Sequence, residues 1–91
     1  MTERDNVLMK YAKASGAFEY AVNKFYRNKT EQNLLEAQSR INDLINRELP
    51  AVTDYCKQHA GEDDIDSLLA IATTDCRTMQ NIFKNLKLWR Y

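Results

Sequence analysis

Apolar residues in two stretches of this chain recur at alternating steps of four and three residues, one within positions 7–25 and one within 65–86. Such steps return to one face of an α-helix, whereas a strand repeats every second residue. The members are Val7, Tyr11, Ala14, Phe18, Ala21 and Phe25 in the first stretch, and Ile65, Leu69, Ala72, Cys76, Met79, Phe83 and Leu86 in the second. The pattern predicts two long amphipathic helices.

A third apolar stripe lies between them and contains Pro50. Its members are Leu34, Ile41, Ile45 and Val52, with Leu44 and Leu49 widening the face. Proline lacks a backbone N–H and its ring clashes with the preceding turn of a helix. We expect a kink at Pro50 rather than a stop, because the apolar rhythm continues to Cys56. A full break would raise the number of helices to four.

Capping residues predict where the helices begin and end. Thr2 and Thr30 are good N-caps, and Asp63 or Asp64 caps the last helix. Gly61 is a stop signal for the middle helix. Two glycines and one proline in 91 residues imply few, short turns. The fold class is therefore all-α: one domain, residues 1–91, formed by a small antiparallel bundle of three long helices.

The stripes also predict a core and a close contact. We expect Gly16, among several alanines, to allow close helix packing, with a hinge as the alternative. The predicted core consists of Leu8, Tyr11, Phe18, Val22, Phe25, Leu34, Ile41, Ile45, Val52, Leu69, Ala72, Met79, Phe83 and Leu86.

The two cysteines bear on the compartment. In a straight hairpin turning near Gly61, Cys56 and Cys76 lie about 12 Å apart by helix rise, beyond the roughly 7 Å between α-carbons that a disulfide allows. We expect free thiols. No secretory signal or membrane-spanning apolar run is visible, so we expect a cytoplasmic protein.

Charge is sorted along the chain although the net charge is zero. Residues 1–30 carry six basic and three acidic side chains, residues 31–66 three basic and nine acidic, and residues 67–91 four basic and one acidic. Because the first and third helices of such a bundle are parallel, their C-terminal ends share one pole. We call this end the basic pole; its candidate partner-binding residues are Tyr26, Arg27, Lys29, Lys84, Lys87, Leu88, Trp89, Arg90 and Tyr91. Helix termini favour these charges in any case.

The last helix carries a second apolar edge. Trp89 lies one heptad after Ile82, and Leu68 lies further back on the same edge. A second edge is buried by a fourth helix, a second copy of the chain (a homodimer) or another protein. Alternatively, Trp89 folds over the end of the bundle and covers Phe25 and Phe83.

No catalytic or metal-binding pattern emerges. Cys56 and His59 share a helix face but supply only half a zinc site, and they lack the third group of a nucleophilic site. The acidic run at residues 62–66 lacks the glycine and terminal glutamate of a calcium loop. We therefore expect no enzyme, no cofactor and no metal.

The remaining prediction is a small protein that binds a larger partner and acts by occupancy, as an inhibitor, adaptor or immunity-type factor. In size and helical make-up the chain resembles small bacterial or phage proteins that block a larger partner, such as bacteriocin immunity proteins. The alternative is a nucleic-acid accessory protein that binds phosphates through the basic pole. Zero net charge disfavours that alternative.

Overall fold

The computed structural model describes residues 2–89 and contains helices joined by short turns, without strands in that range. Helix α1 spans Glu3–Arg27, α2 spans Glu31–Asp43, α3 spans Leu49–Gln58 and α4 spans Ile65–Leu86. A π-helical turn, Leu44–Glu48, joins α2 to α3 without a gap. The result is the predicted bundle of three helical rods. It is elongated, with extents of 48 × 23 × 17 Å.

The helix starts follow from side-chain capping. Thr2 Oγ1 accepts from the Asp5 amide, and the Asp5 carboxylate accepts from the Thr2 amide, which forms a capping box. Thr30 accepts from the Asn33 amide in the same manner. Asp64 is the N-cap residue of α4, one of the two positions predicted, but it does not cap the helix with its side chain. Its backbone is left-handed (φ 69°) and it makes no side-chain cap hydrogen bond.

The region before Pro50 shows how the middle rod accommodates a proline. Residues on both sides of the π turn keep right-handed helical dihedrals, and the Leu49 amide donates to the Leu44 carbonyl five residues back. A wider turn relieves the crowding that the proline ring imposes on the preceding carbonyls. The rod therefore continues through Pro50, and a break at this point is excluded.

The core follows the predicted stripes, except that the buried face of the middle rod is rotated at the π turn. Nine of the fourteen predicted residues are buried, while Leu8, Tyr11, Leu34, Ile45 and Leu69 are partly exposed. Leu44 rather than Ile45 is fully buried in the π turn. The buried line of the middle rod is Asn33, Ala37, Ile41, Leu44, Glu48, Val52 and Tyr55.

The buried residues form two clusters along the bundle axis. The larger contains Phe18, Phe25 and Leu86, and the smaller contains Val52 and Ile65. Tyr11 and Leu49 pack against both clusters and connect them. No helix within residues 2–89 is long and apolar enough to cross a membrane.

Gly16 does not lie at a close helix contact, so that prediction was wrong. The residue is exposed, and a Cβ built on it would meet nothing within 4 Å. Helix α1 passes through it without interruption. By contrast, Gly61 has φ +91°, a conformation that glycine adopts without strain, and it forms the predicted turn before α4.

Candidate partner-binding surface

The C-terminal ends of α1 and α4 meet at the basic pole. The Lys29 ammonium lies 4.7 Å from the centroid of the Trp89 ring and donates to the Tyr26 carbonyl over 3.4 Å. Lys29 therefore connects the turn after α1 to the turn after α4. The distance is typical of a cation–π contact, in which the electron-rich face of the aromatic ring attracts the ammonium group.

Three large apolar side chains are exposed around this contact. Tyr26 is 45% exposed, Trp89 48% and Leu88 76%. Scattered exposed hydrophobics are ordinary on protein surfaces, whereas a group of them beside cations is typical of an interaction site. Trp89 is half-exposed at the end of the bundle, while Phe25 and Phe83 are buried.

The other described cations of the basic pole lie in or just after the last turns of α1 and α4. Lys87 lies 5.3 Å from the centroid of the Phe83 ring, and Arg27 and Lys84 are exposed in the last turns of their helices. Two further candidate residues, Arg90 and Tyr91, lie outside the described residues. The structure thus brings Tyr26, Lys29 and Trp89 into one contiguous group at the end predicted for them.

The opposite end of the bundle gathers acidic residues around His59. The imidazole stacks on Tyr55 with ring centroids 4.2 Å apart, its Nδ1 is hydrogen-bonded to Glu62, and its Nε2 is 4.0 Å from a Glu3 carboxylate oxygen. His59 therefore joins the ends of three rods as a structural contact. Among residues 2–89, no three His, Cys, Asp or Glu side chains are placed to share a metal ion.

A charged groove between α1 and the middle rod was missed by the sequence reasoning. It encloses about 870 Å³, and Glu48 at the π turn lines it. The Glu48 side chain is only 8% exposed and pairs over 3.2 Å with Nε of Arg47, whose own side chain is 68% exposed. The available signal was spacing: Glu48 lies four residues from Leu44 and four from Val52, so it falls on the buried line.

An apolar furrow separates α1 from α4 on another side of the bundle. The backbones of these two helices stay further apart than those of the other neighbouring rods. The furrow has a volume of about 420 Å³ and an apolar floor of Phe18, Val22, Met79 and Ile82. Glu19 and Asp75 lie along its rims. Of the predicted second edge of α4, Ile82 lines this furrow, whereas Leu68 and Trp89 do not.

Polar groups also connect α1 to α4 next to the furrow. The Tyr11 hydroxyl donates to the Ala72 carbonyl over 3.4 Å and lies 3.7 Å from the Cys76 sulfur. Burial, followed by the hydrogen bond to Cys76, raises the pKa of Tyr11 well above its ordinary value. Burial likewise raises the pKa of the Cys56 and Cys76 thiols. Both are free cysteines in different core clusters, and protonated thiols of this kind are poor nucleophiles.

Comparison with known proteins gave no relatives. No family model matches the chain, and neither a curated protein nor a solved structure matches it.

Proposed function

We propose that this chain is a small, non-enzymatic protein-binding module that acts in the cytoplasm by occupying a larger partner, as an inhibitor, adaptor or immunity-type factor. The observation that supports the proposal best is the contact between Lys29 and Trp89. It joins two helix ends into one surface and leaves apolar groups beside it exposed. Tryptophan and tyrosine are among the side chains most enriched where proteins bind each other.

The arrangement favours a protein over a nucleic acid as the partner. One face of the Trp89 ring is covered by the Lys29 ammonium, so that face is not free to stack on a base. Leu88, the most exposed of the large hydrophobics, has no role in phosphate binding. An apolar centre rimmed by lysines instead suits a protein surface with an apolar pocket and acidic residues around it.

Capture by the tagged full chain from its native cells tests the proposal, with Trp89→Ala compared against Leu35→Ala. Leu35 is 55% exposed on α2 and matches Trp89 in exposure without belonging to the basic pole. We expect Trp89→Ala to reduce retention of a specific protein at least tenfold, about the loss of one interface anchor. Leu35→Ala should retain it as the unaltered chain does, and both variants should keep full helicity by circular dichroism.

Nucleic-acid binding is the competing function, and the same preparation tests it. A labelled oligonucleotide titrated at low and high salt should show no tight binding if the protein proposal holds. Tight binding that falls steeply with salt and is lost in Lys29→Ala would show that the basic pole binds nucleic acid rather than a protein. If Trp89→Ala captures the same partner as well as the unaltered chain does, the basic pole is not the binding interface.

A further inference from the structure

We propose that the furrow between α1 and α4 is the interface of an antiparallel homodimer, in which α4 of one copy packs against α4 of a second copy. This interface is distinct from the basic pole. It includes Ile82 of the second apolar edge of α4, and the sequence did not decide what packs against that edge. The ridge beside the furrow is Leu68, Ile71, Asp75, Thr78 and Ile82, spaced by three, four, three and four residues. Its middle residues, Ile71, Asp75 and Thr78, are exposed, while Leu68 and Ile82 pack partly against the core clusters.

Exposure along this ridge indicates a missing neighbour. Ile71 is 60% exposed in the middle of α4, although it lies one turn from Asp75 at the rim of the furrow. Ile82, three turns further along the ridge, is only partly buried. In helix–helix packing the side-chain ridge of one helix fits into a groove of the other, and exposed apolar residues mark surfaces where this occurs.

The ridge is complementary to itself when a second copy runs antiparallel. If the two-fold axis passes between residues 76 and 77 of α4, Ile71 lies opposite Ile82 of the second copy. In the same register, Asp75 lies opposite Thr78 of the second copy, so the carboxylates do not face each other directly. An isologous contact requires this kind of reciprocity, in which residue i meets j and j meets i.

In that register the hydroxyl of Thr78 can donate a hydrogen bond across the interface. In the single chain it is exposed and donates over 3.1 Å to the Thr74 carbonyl one turn back. That carbonyl already belongs to the helical hydrogen-bond ladder, so the hydroxyl is able to turn to another acceptor. The Asp75 carboxylate of the second copy supplies one.

Charge selects the antiparallel arrangement over the parallel one. The turn before α4 and its first turn carry Glu62, Asp63, Asp64 and Asp66, and its last turns carry Lys84 and Lys87. Antiparallel copies place the acidic end of one beside the basic end of the other, whereas parallel copies place like charges together. The basic pole of each copy then lies at an opposite end of the dimer, so the assembly is bivalent for a partner.

Light scattering coupled to size exclusion tests the interface on the full chain over a range of concentrations. We expect a dimer mass for the unaltered chain and for Leu35→Lys, which puts charge on an equally exposed site of α2. Ile71→Lys should give a monomer with unchanged helicity, because a lysine opposite an isoleucine prevents burial of the ridge. A monomer mass for the unaltered chain at all concentrations, or a dimer for Ile71→Lys, would overturn the proposal.

Cross-linking tests the register independently of mass. Chains carrying Asp75→Cys are mixed with chains carrying Thr78→Cys and oxidised, while the two native cysteines remain buried. A disulfide-linked heterodimer in the mixture, exceeding the cross-linking of either variant alone, is expected. Equal cross-linking in all three samples would exclude the register. These experiments need no partner, so their failure leaves the proposal for the basic pole standing.

Discussion

At the scale of single residues, Tyr11 couples burial to ionisation. Its ring packs against both core clusters, and its hydroxyl reaches across to the Ala72 carbonyl and the Cys76 sulfur on α4. Burial, the Cys76 hydrogen bond and the charge of Asp75 all raise the pKa of Tyr11. Because that value is higher in the folded chain than in the unfolded chain, high pH favours unfolding.

We predict that Tyr11→Phe weakens the dependence of stability on alkaline pH. The stabilising contribution is fully present below the ordinary tyrosine pKa of 10.0 and is lost as pH rises towards the higher folded value. Urea unfolding between about pH 9 and about pH 11 should show a smaller loss for Tyr11→Phe than for the unaltered chain. At neutral pH the variant should be less stable by about 1 kcal/mol, from the lost hydrogen bond.

Tyr20→Phe provides the control for this experiment. Tyr20 lies on the same helix and is 68% exposed, so its removal should leave the alkaline loss unchanged. Parallel pH curves for the unaltered chain and Tyr11→Phe would show that the buried hydroxyl does not titrate differently on folding.

At the scale of the helices, α1 carries a glycine that its packing does not require. Glycine in a helix interior costs roughly 1 kcal/mol relative to alanine, because it loses more backbone freedom. Gly16 has helical geometry and open space around its Cα. The two glycines therefore have opposite roles, since Gly61 occupies a left-handed turn.

We predict that Gly16→Ala raises the free energy of unfolding by about 1 kcal/mol, measured by urea denaturation. Gly61→Ala should lower it by about the same amount, because alanine is strained at positive φ. A loss of stability in Gly16→Ala would mean that a neighbouring surface absent from the single chain approaches this position.

How far the sequence predicts these elements depends on which interactions are local. Caps at Thr2 and Thr30 and the heptad faces involve neighbouring residues, so their prediction succeeded. The π turn at Leu44–Glu48 rotates the middle rod, which buries Leu44 and Glu48 in place of Ile45. Periodicity assumes a regular helix, and it cannot show where an extra residue is inserted into a turn.

At the scale of the whole molecule, the sorted charges become two poles because α1 and α4 are parallel. The sequence sufficed to place Tyr26, Lys29 and Trp89 at one end, since helix order and length determine the level of each residue. It could not predict that Lys29 would lie over Trp89, nor that α1 and α4 would stay apart. Both outcomes depend on side-chain packing between residues far apart in the sequence, such as Phe18 and Met79, which line the furrow together.

The same geometry predicts that the end of the chain is dispensable for folding. Helix α4 ends at Leu86, which is fully buried, while Leu88 and Trp89 lie beyond it with much of their surface open. A chain ending at Leu88 loses the contact between Lys29 and Trp89, which at an exposed site contributes about 0.5–1 kcal/mol. It also loses the burial of about half of the Trp89 surface, which contributes about 1–2 kcal/mol. We therefore expect thermal unfolding monitored by circular dichroism to show full helicity and a loss of stability no larger than these two contributions together. A larger loss would give Trp89 a structural role and remove the main support for partner binding at the basic pole. A retained fold would instead leave binding as the reason for an exposed tryptophan at this position.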